Sequence, residues 1–437
     1  MPTTLKTTSP RVLPVPQQTG ASATRRAPSR LLALIVIGLV LVIAAWGVRS
    51  SRWMRDPILA GKGIPELEAS VRDRPGDPLA QYHLAKKYYL QGRFGEARSA
   101  YEAATRLDPR SPRAHLGLAL TLYEMGRMRD ARAQFERVLL LDDRSAWAHY
   151  MLGKILWLEG DIRDALPHVR RATELDPRSD QAWYGLSVCY AQLRRYDDAI
   201  AALRKAVGRR GDSAQYRAAL GEMLVYRGNM EEGRVQLARA VELNPDYGPA
   251  CALLGSFYLR HGTGHDALDR AQDLLERATR LNTIRPAQAW FDLGQVYVRK
   301  ARYADAVNAL QRSLREDARD ERTYYALANA YRRMGQAAKA LTTEARFRRI
   351  SALHVRMQDL EAKLSHAPND PDAHLNLARV YRDLGLIGQA AERYASAARL
   401  APQSGAISRE WQQFARVHAP EPGGAPPVRD FIMPAPP

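Results

Sequence analysis

The chain has 437 residues, 46% of them hydrophobic and 26% charged, with a formal net charge of +18. That length suits two or three ordinary domains or one long array, and that hydrophobic share excludes a chain without folded structure. Its two cysteines, Cys189 and Cys251, exclude a CxxC pair and a zinc cluster.

The charge is uneven. Residues 1–63 carry nine Lys/Arg against a single acid, Asp56. The charge is therefore a weak argument for nucleic acid and fits a basic segment beside an anionic membrane surface better. Residues 1–30, basic and rich in Pro, Thr and Ser, read as a disordered N-terminal segment. The next stretch, 31-LLALIVIGLVLVIAAWGV-48, holds no charge. As a helix it spans about 27 Å, close to the roughly 30 Å of a hydrocarbon core. Arg25, Arg26 and Arg30 flank one end, Arg49, Arg52 and Arg55 the other, and Trp46 and Trp53 fall where interfacial aromatics belong. The segment reads as an uncleaved single-pass anchor; a cleaved signal peptide, cut after Gly47, is the rival reading. The basic residues ahead of the span place the N-terminus in the cytoplasm and the rest of the chain on the periplasmic or extracytoplasmic side. Residues 49–77 read as a juxtamembrane linker and an N-terminal capping helix.

Beyond this point the sequence repeats. 84-LAKKYYLQGRFGEARSAYEAATRLDP-109 lines up with 152-LGKILWLEGDIRDALPHVRRATELDP-177, with 220-LGEMLVYRGNMEEGRVQLARAVELNP-245 and with 377-LARVYRDLGLIGQAAERYASAARLAP-402. Leu-Gly/Ala opens each unit, a glycine follows at a fixed distance, small residues recur at fixed offsets, and Leu-x-Pro closes it. Apolar residues recur at helical spacing in both halves of a unit. The glycine suits a left-handed turn, and the proline cannot continue a helix. Nine units fall near 78–111, 112–145, 146–179, 180–213, 214–247, 248–286, 287–320, 321–370 and 371–404, and 405–437 forms a helix end and a Pro-rich tail.

This pattern resembles the tetratricopeptide repeat, a helix–turn–helix unit. The resemblance implies an all-α fold, a right-handed superhelical solenoid of about nine hairpins that binds a partner along its concave face. Numbering each unit so that the Gly/Ala of Leu-Gly/Ala is position 8, the family's groove is lined from positions 2, 5, 9, 12 and 13 of the first helix. Here that stripe holds Tyr82, Lys86, Tyr89, Tyr123, Trp147, Tyr150, Lys154, Trp157 and Tyr184 in the N-terminal half. Toward the C-terminus it holds Phe291, Tyr325, Asn329, Arg332, Arg333, Arg379 and Arg382. Such aromatics also suit packing between first helices, as the position-11 tyrosines Tyr88, Tyr190, Tyr258, Tyr297, Tyr331 and Tyr381 do. Two family specialities are unsupported. The carboxylate clamp is matched only at Asn329 and Asn376, and the asparagine ladder at position 6 is absent.

The period breaks twice. From Leu254 to Leu293 the step is 39 residues instead of 34, around 260-RHGTGHDALDR-270. Gly262 is expected at the turn position, with one extra helical turn at the start of the following helix and Asp266 or Asp269 as its cap. His261 and His265 lack further ligands for a metal, and the glycines lack the strand and lysine of a phosphate loop. From Leu327 to Leu377 the step is 50, and Ile350, Leu353, Met357, Leu360 and Leu364 trace an apolar seam on a long helix. That seam packs inside the array or forms a docking surface.

No GxSxG, GxxxxGK[ST] or HExxH motif is present, so no enzyme, cofactor or metal is expected. The sequence thus reads as a membrane-anchored scaffold that binds a protein or peptide in its groove, with no nucleic-acid partner. It leaves the oligomeric state open. The alternatives are a glycan- or polymer-binding protein of the cell envelope and a non-catalytic subunit of a membrane enzyme.

Overall fold

The computed structural model describes residues 52–264, 266–281 and 283–418, with the side chains of 52–54 left out. The apolar segment 31–48, His265 and the tail beyond 418 lie outside the described residues. Within them no helix is long and apolar enough to cross a membrane.

The described residues form 21 helices and no strand. Two short ones, α1 (Arg52–Gly61) and α2 (Ile64–Asp73), precede nine hairpins. The first five pairs are α3 (Pro78–Leu90) with α4 (Phe94–Leu107), α5 (Pro112–Glu124) with α6 (Met128–Leu141), α7 (Ala146–Glu159) with α8 (Ile162–Leu175), α9 (Asp180–Gln192) with α10 (Tyr196–Arg209), and α11 (Ala214–Tyr226) with α12 (Met230–Leu243). Then come α13 (Gly248–His261) with α14 (Ala267–Arg280), α15 (Pro286–Arg299) with α16 (Tyr303–Glu316), α17 (Glu321–Arg333) with α18 (Ala337–His366), and α19 (Pro371–Asp383) with α20 (Ile387–Leu400). A final helix, α21 (Gly405–Val417), covers the last pair.

The two helices of a hairpin begin by different means. Most first helices start at a side-chain cap, with Asp77, Ser111, Ser145, Ser179, Ser213, Asp320 and Asp370 each accepting a backbone N–H of the first turn. Second helices have no such cap. Their start is set by a left-handed residue in the turn, glycine in seven hairpins (Gly92, Gly126, Gly160, Gly228, Gly264, Gly335 and Gly385). Arg194 and Ala301 hold the same conformation at φ 58° and 55°. A Cβ is strained there, so Ala301→Gly is expected to stabilise the protein by about 0.5–1 kcal/mol, the relief of left-handed strain less the added unfolded-chain entropy. Urea denaturation checks this; an unchanged or lower midpoint would count against the strain. Where the helices touch, glycine serves closeness instead. A Cβ on Gly221 of α11 would lie 2.9 Å from the Gly233 carbonyl oxygen of α12.

Two side-chain devices recur across repeats. In several repeats position 4 donates to the carbonyl six residues upstream, which ties those first helices to the turn before them. The donors differ, with His115 to Pro109 at 3.2 Å, His149 to Asp143 at 3.1 Å, Trp183 to Pro177 at 3.0 Å, Arg217 to Gly211 at 2.7 Å and His374 to Pro368 at 2.9 Å. A carbonyl only accepts, so each histidine carries its proton on Nε2. The second device joins the position-11 tyrosine to a polar side chain on the helix just before its hairpin, as in Tyr88 to Glu68 at 2.6 Å and Tyr297 to Glu276 at 2.9 Å. Those tyrosines therefore fill and bond the seams between helices, as expected.

The sixth repeat differs from expectation. α14 has 14 residues, the length of α4, α6 and α12, so it gains no extra turn. The added residues fall at the junctions, in the turn 262–266 and the segment 281–285. A second helix must match its neighbours in length to bury its face, whereas a turn has no such constraint. The left-handed residue is Gly264, at φ 107°, and Gly262 is extended. Asp266 and Asp269 cap nothing. They pair with Arg270 at 2.6 Å and Lys300 at 2.6 Å. The eighth repeat's second helix, α18, runs unbroken for 30 residues through the expected seam.

Candidate functional site

A cleft of about 1090 Å³ is lined mainly by the first helices α11, α13, α15 and α17, with Phe347 of α18 at one end. It carries exposed aromatic surface beside paired charges. Tyr325 is 57% exposed and meets Phe347 with ring centroids 5.9 Å apart, and Phe291 lies beneath the Arg322 guanidinium at 5.2 Å. Arg322 also donates to Gln288 Oε1 at 3.1 Å.

Two carboxylates are recessed in this surface, and each is held by donors. Asp292 of α15, 1% exposed, accepts from Gln288 at 2.8 Å and from the Ser256 hydroxyl, with the Arg260 guanidinium 3.5 Å away. Glu222 of α11 accepts from Arg285 Nη1 at 2.7 Å. Burial pushes the Glu222 carboxyl above the usual glutamate range, and the arginine opposes that rise without cancelling it. Arg285 stands in the added inter-repeat segment 281–285, so its bond spans from repeat five to the edge of repeat seven, across repeat six. The pair also borders a small cavity of about 70 Å³ lined by Tyr184 and Tyr247, whose hydroxyl burial raises to about 12.

The residues expected from sequence divide between this cleft and the seams. Phe291, Tyr325 and Asn329 line the cleft. Arg332 pairs with Glu344 and Asn329 instead of standing alone, and Arg333 is exposed at the end of α17. Arg379 makes a two-pronged ion pair with Glu410 of α21, at 2.9 and 2.7 Å, and Arg382 lies 3.7 Å from the same carboxylate, so both fasten the terminal helix. The N-terminal cluster is more buried than exposed. Tyr123, Tyr150, Lys154 and Tyr184 are buried, with the Lys154 ammonium 5.3 Å from the centre of the Tyr123 ring and Tyr184 stacked on Tyr216 at 4.9 Å. Tyr82, Tyr89 and Trp157 are half-buried, while Lys86 and Trp147 are exposed, Trp147 tilted against Tyr150 at 5.3 Å.

The sequence reading missed Glu222, Ser256, Arg260, Gln288, Gln295, Arg299 and Arg322. All stand at positions 2, 9 or 13, the stripe already identified; weighing every polar and charged residue there as heavily as the aromatics would have found them. Asp292 stands at position 6, and Arg285 lies on an insertion without register. His261 lines the cleft's edge, its ring tilted on Phe257 at 5.4 Å. Among the described residues no group of three or more His, Cys, Asp or Glu could hold a metal ion.

Models of the tetratricopeptide repeat match residues 61–112, 150–215, 192–248, 264–321 and 291–354, with two further ones matching 88–155 and 371–396. No curated protein matches the chain. Among solved structures the chain is similar to YrrB, described as a TPR protein with an unusual peptide-binding site, at 21% identity over 43% of this chain and 97% of that one, with a TM-score of 0.39. It is similar to pilF of Pseudomonas aeruginosa at 20% identity over 48% of this chain and 92% of that one, TM-score 0.42. MamA of Desulfovibrio magneticus RS-1 follows at 21% identity over 38% and 95%, TM-score 0.36. On the family matches, which span more than half of its length, the chain belongs to the tetratricopeptide repeat family.

Proposed function

We propose that this protein is a non-catalytic adaptor, tethered to a membrane by residues 31–48, which holds a segment of another protein in the cleft between α11 and α18. The carrying observation is that cleft, with Tyr325 and Phe291 beside arginines on the first-helix faces. Aromatic rings supply contact area at small entropic cost, and arginine supplies directional bonds, the composition of binding hot spots. The solenoid is proposed to stand on the non-cytoplasmic side, with assembly of a membrane or envelope complex as its role.

A photo-crosslinking residue placed at Tyr325 in native membranes tests this. It is expected to capture a discrete protein, whereas the same residue at Leu140, 75% exposed on α6, captures none. Phe291→Ala with Asn329→Ala should weaken that capture about ten-fold. Equal labelling from both positions would sink the assignment. In the same preparation, deletion of residues 31–48 should release the chain from carbonate-washed membranes, and retention would remove the tether.

A further inference from the structure

We infer that the segment held in the cleft is an extended, acidic one, with carboxylates at about every third residue. This rests on the cleft being the binding site. Position 13 ends or nearly ends each first helix. In repeats six, seven and eight it is Arg260, Arg299 and Arg333, while in repeats one to five it is Leu90, Glu124, Leu158, Gln192 and Tyr226. Arg260 and Arg299 line the cleft, whose repeat-five end carries Tyr226 at this position; Arg333 extends the row one repeat further along α17, and Asp383 ends it in repeat nine.

A helix-dipole role would favour arginine at this place in every first helix, and the five preceding repeats have none. All three side chains reach solvent, Arg260 being 54% exposed, although Arg299 also donates to the Leu259 carbonyl at the end of α13. Three acids line the cleft against this row, and each has a partner: Glu321, 38% exposed, lies 3.6 Å from His354. Asp292 is buried under its donors, and Glu222 lies beneath Arg285. A ligand therefore meets cations and rings.

Spacing sets the partner's pattern. Packed neighbouring helices lie about 10 Å apart, and an extended chain rises about 3.3 Å per residue. One carboxylate per arginine then needs one acid in about every three residues, and the intervening side chains can reach Phe291 and Tyr325.

The test uses the full chain in detergent and fluorescence anisotropy with labelled peptides, Glu-Ser-Phe repeated four times against its Gln and Lys counterparts. The Glu peptide is expected to bind about ten-fold more tightly than the Gln peptide and to weaken as salt rises from about 50 to about 500 mM. Arg299→Gln and Arg333→Gln should each reduce binding of the Glu peptide several-fold, at an unchanged melting temperature. Arg333 is the safer probe because it lies away from Asp292 and the helix-end carbonyl. Equal or tighter binding of the Gln or Lys peptide, or no binding of the Glu peptide, overturns the inference. Crosslinking from Tyr325 to a native partner without such an acidic run overturns the charge pattern and leaves the cleft as the site. Loss of position-specific crosslinking overturns the site itself.

Discussion

Arg285→Ala is expected to destabilise the protein by about 2–3 kcal/mol at pH 8 and by clearly less at pH 5. The side chain of Glu222 is 10% exposed and that of Arg285 34%. Removing the arginine leaves a recessed carboxylate without its cation, and the partial exposure of Arg285 keeps the loss at the lower end for a broken buried pair. The pH dependence follows from direction alone. The folded Glu222 carboxyl already sits above its ordinary value, and Arg285 is what restrains it, so the variant raises it further. A group with a raised folded pKa binds protons more readily in the native state. Its favourable contribution is complete below the ordinary glutamate value near about 4.3 and is lost as pH rises through the folded value. The variant's deficit should therefore grow from acid toward neutral pH and then level off. Urea denaturation at several pH values measures it. Adding Glu222→Gln to the variant should remove most of this pH dependence, because a neutral amide has no charge to strand. A deficit that stays constant with pH, or one the double variant retains in its pH slope, would mean that Glu222 is not the group left uncompensated.

This pair marks the boundary of what the sequence discloses. Repeated features were legible because each physical demand is restated in every unit. A left-handed turn demands glycine, close approach demands a small residue, and a buried face demands helical spacing. So the helical hairpins and the position-11 tyrosines could be placed from the string of residues. Arg285 could not, since it occurs once, on an insertion, and its partner is 63 residues away. The sixth repeat shows the same limit in its turn. Two glycines flank Thr263, and only the path of the chain decides that Gly264 takes the left-handed conformation. The groove stripe was legible as a set of positions but not as a ranking of them. Whether an aromatic at position 5 faces solvent, like Tyr325, or packs between helices, like Tyr150, depends on the neighbouring first helix. Arg379 was unreadable for a further reason, because its partner Glu410 lies on the terminal helix beyond the last repeat.

Leu364→Ala is expected to cost about 2–5 kcal/mol, confined to the C-terminal end of the chain. The confinement follows from how α18 is built. Tyr381 donates to Glu361 at 2.6 Å, 20 residues upstream, the offset that joins Tyr88 to Glu68 and Gln311 to Tyr331. The second half of α18 thus stands to α19 as an ordinary second helix stands to the next repeat. Its first half pairs with α17 as the second helix of that hairpin, so α18 amounts to two second helices joined end to end, without the first helix that would separate them. The 16 residues beyond the repeat period supply one such helix and a two-residue join. Between Ala340 and Leu364 only Thr343 is buried. The apolar cluster of Leu364, Leu377, Tyr381, Tyr394 and Phe414 is accordingly separate from the one around Leu310 and Leu327. In a stacked array each repeat is stabilised by its neighbours, and here that coupling passes through one exposed helix. A cavity at Leu364 should therefore remove hydrogen-exchange protection from α19, α20 and α21 while α5 to α10 keep theirs, and denaturation should resolve a second, earlier transition. If α5 lost protection in step with α20, the unbroken helix would be transmitting cooperativity across the gap, and the division of the solenoid at α18 would be wrong.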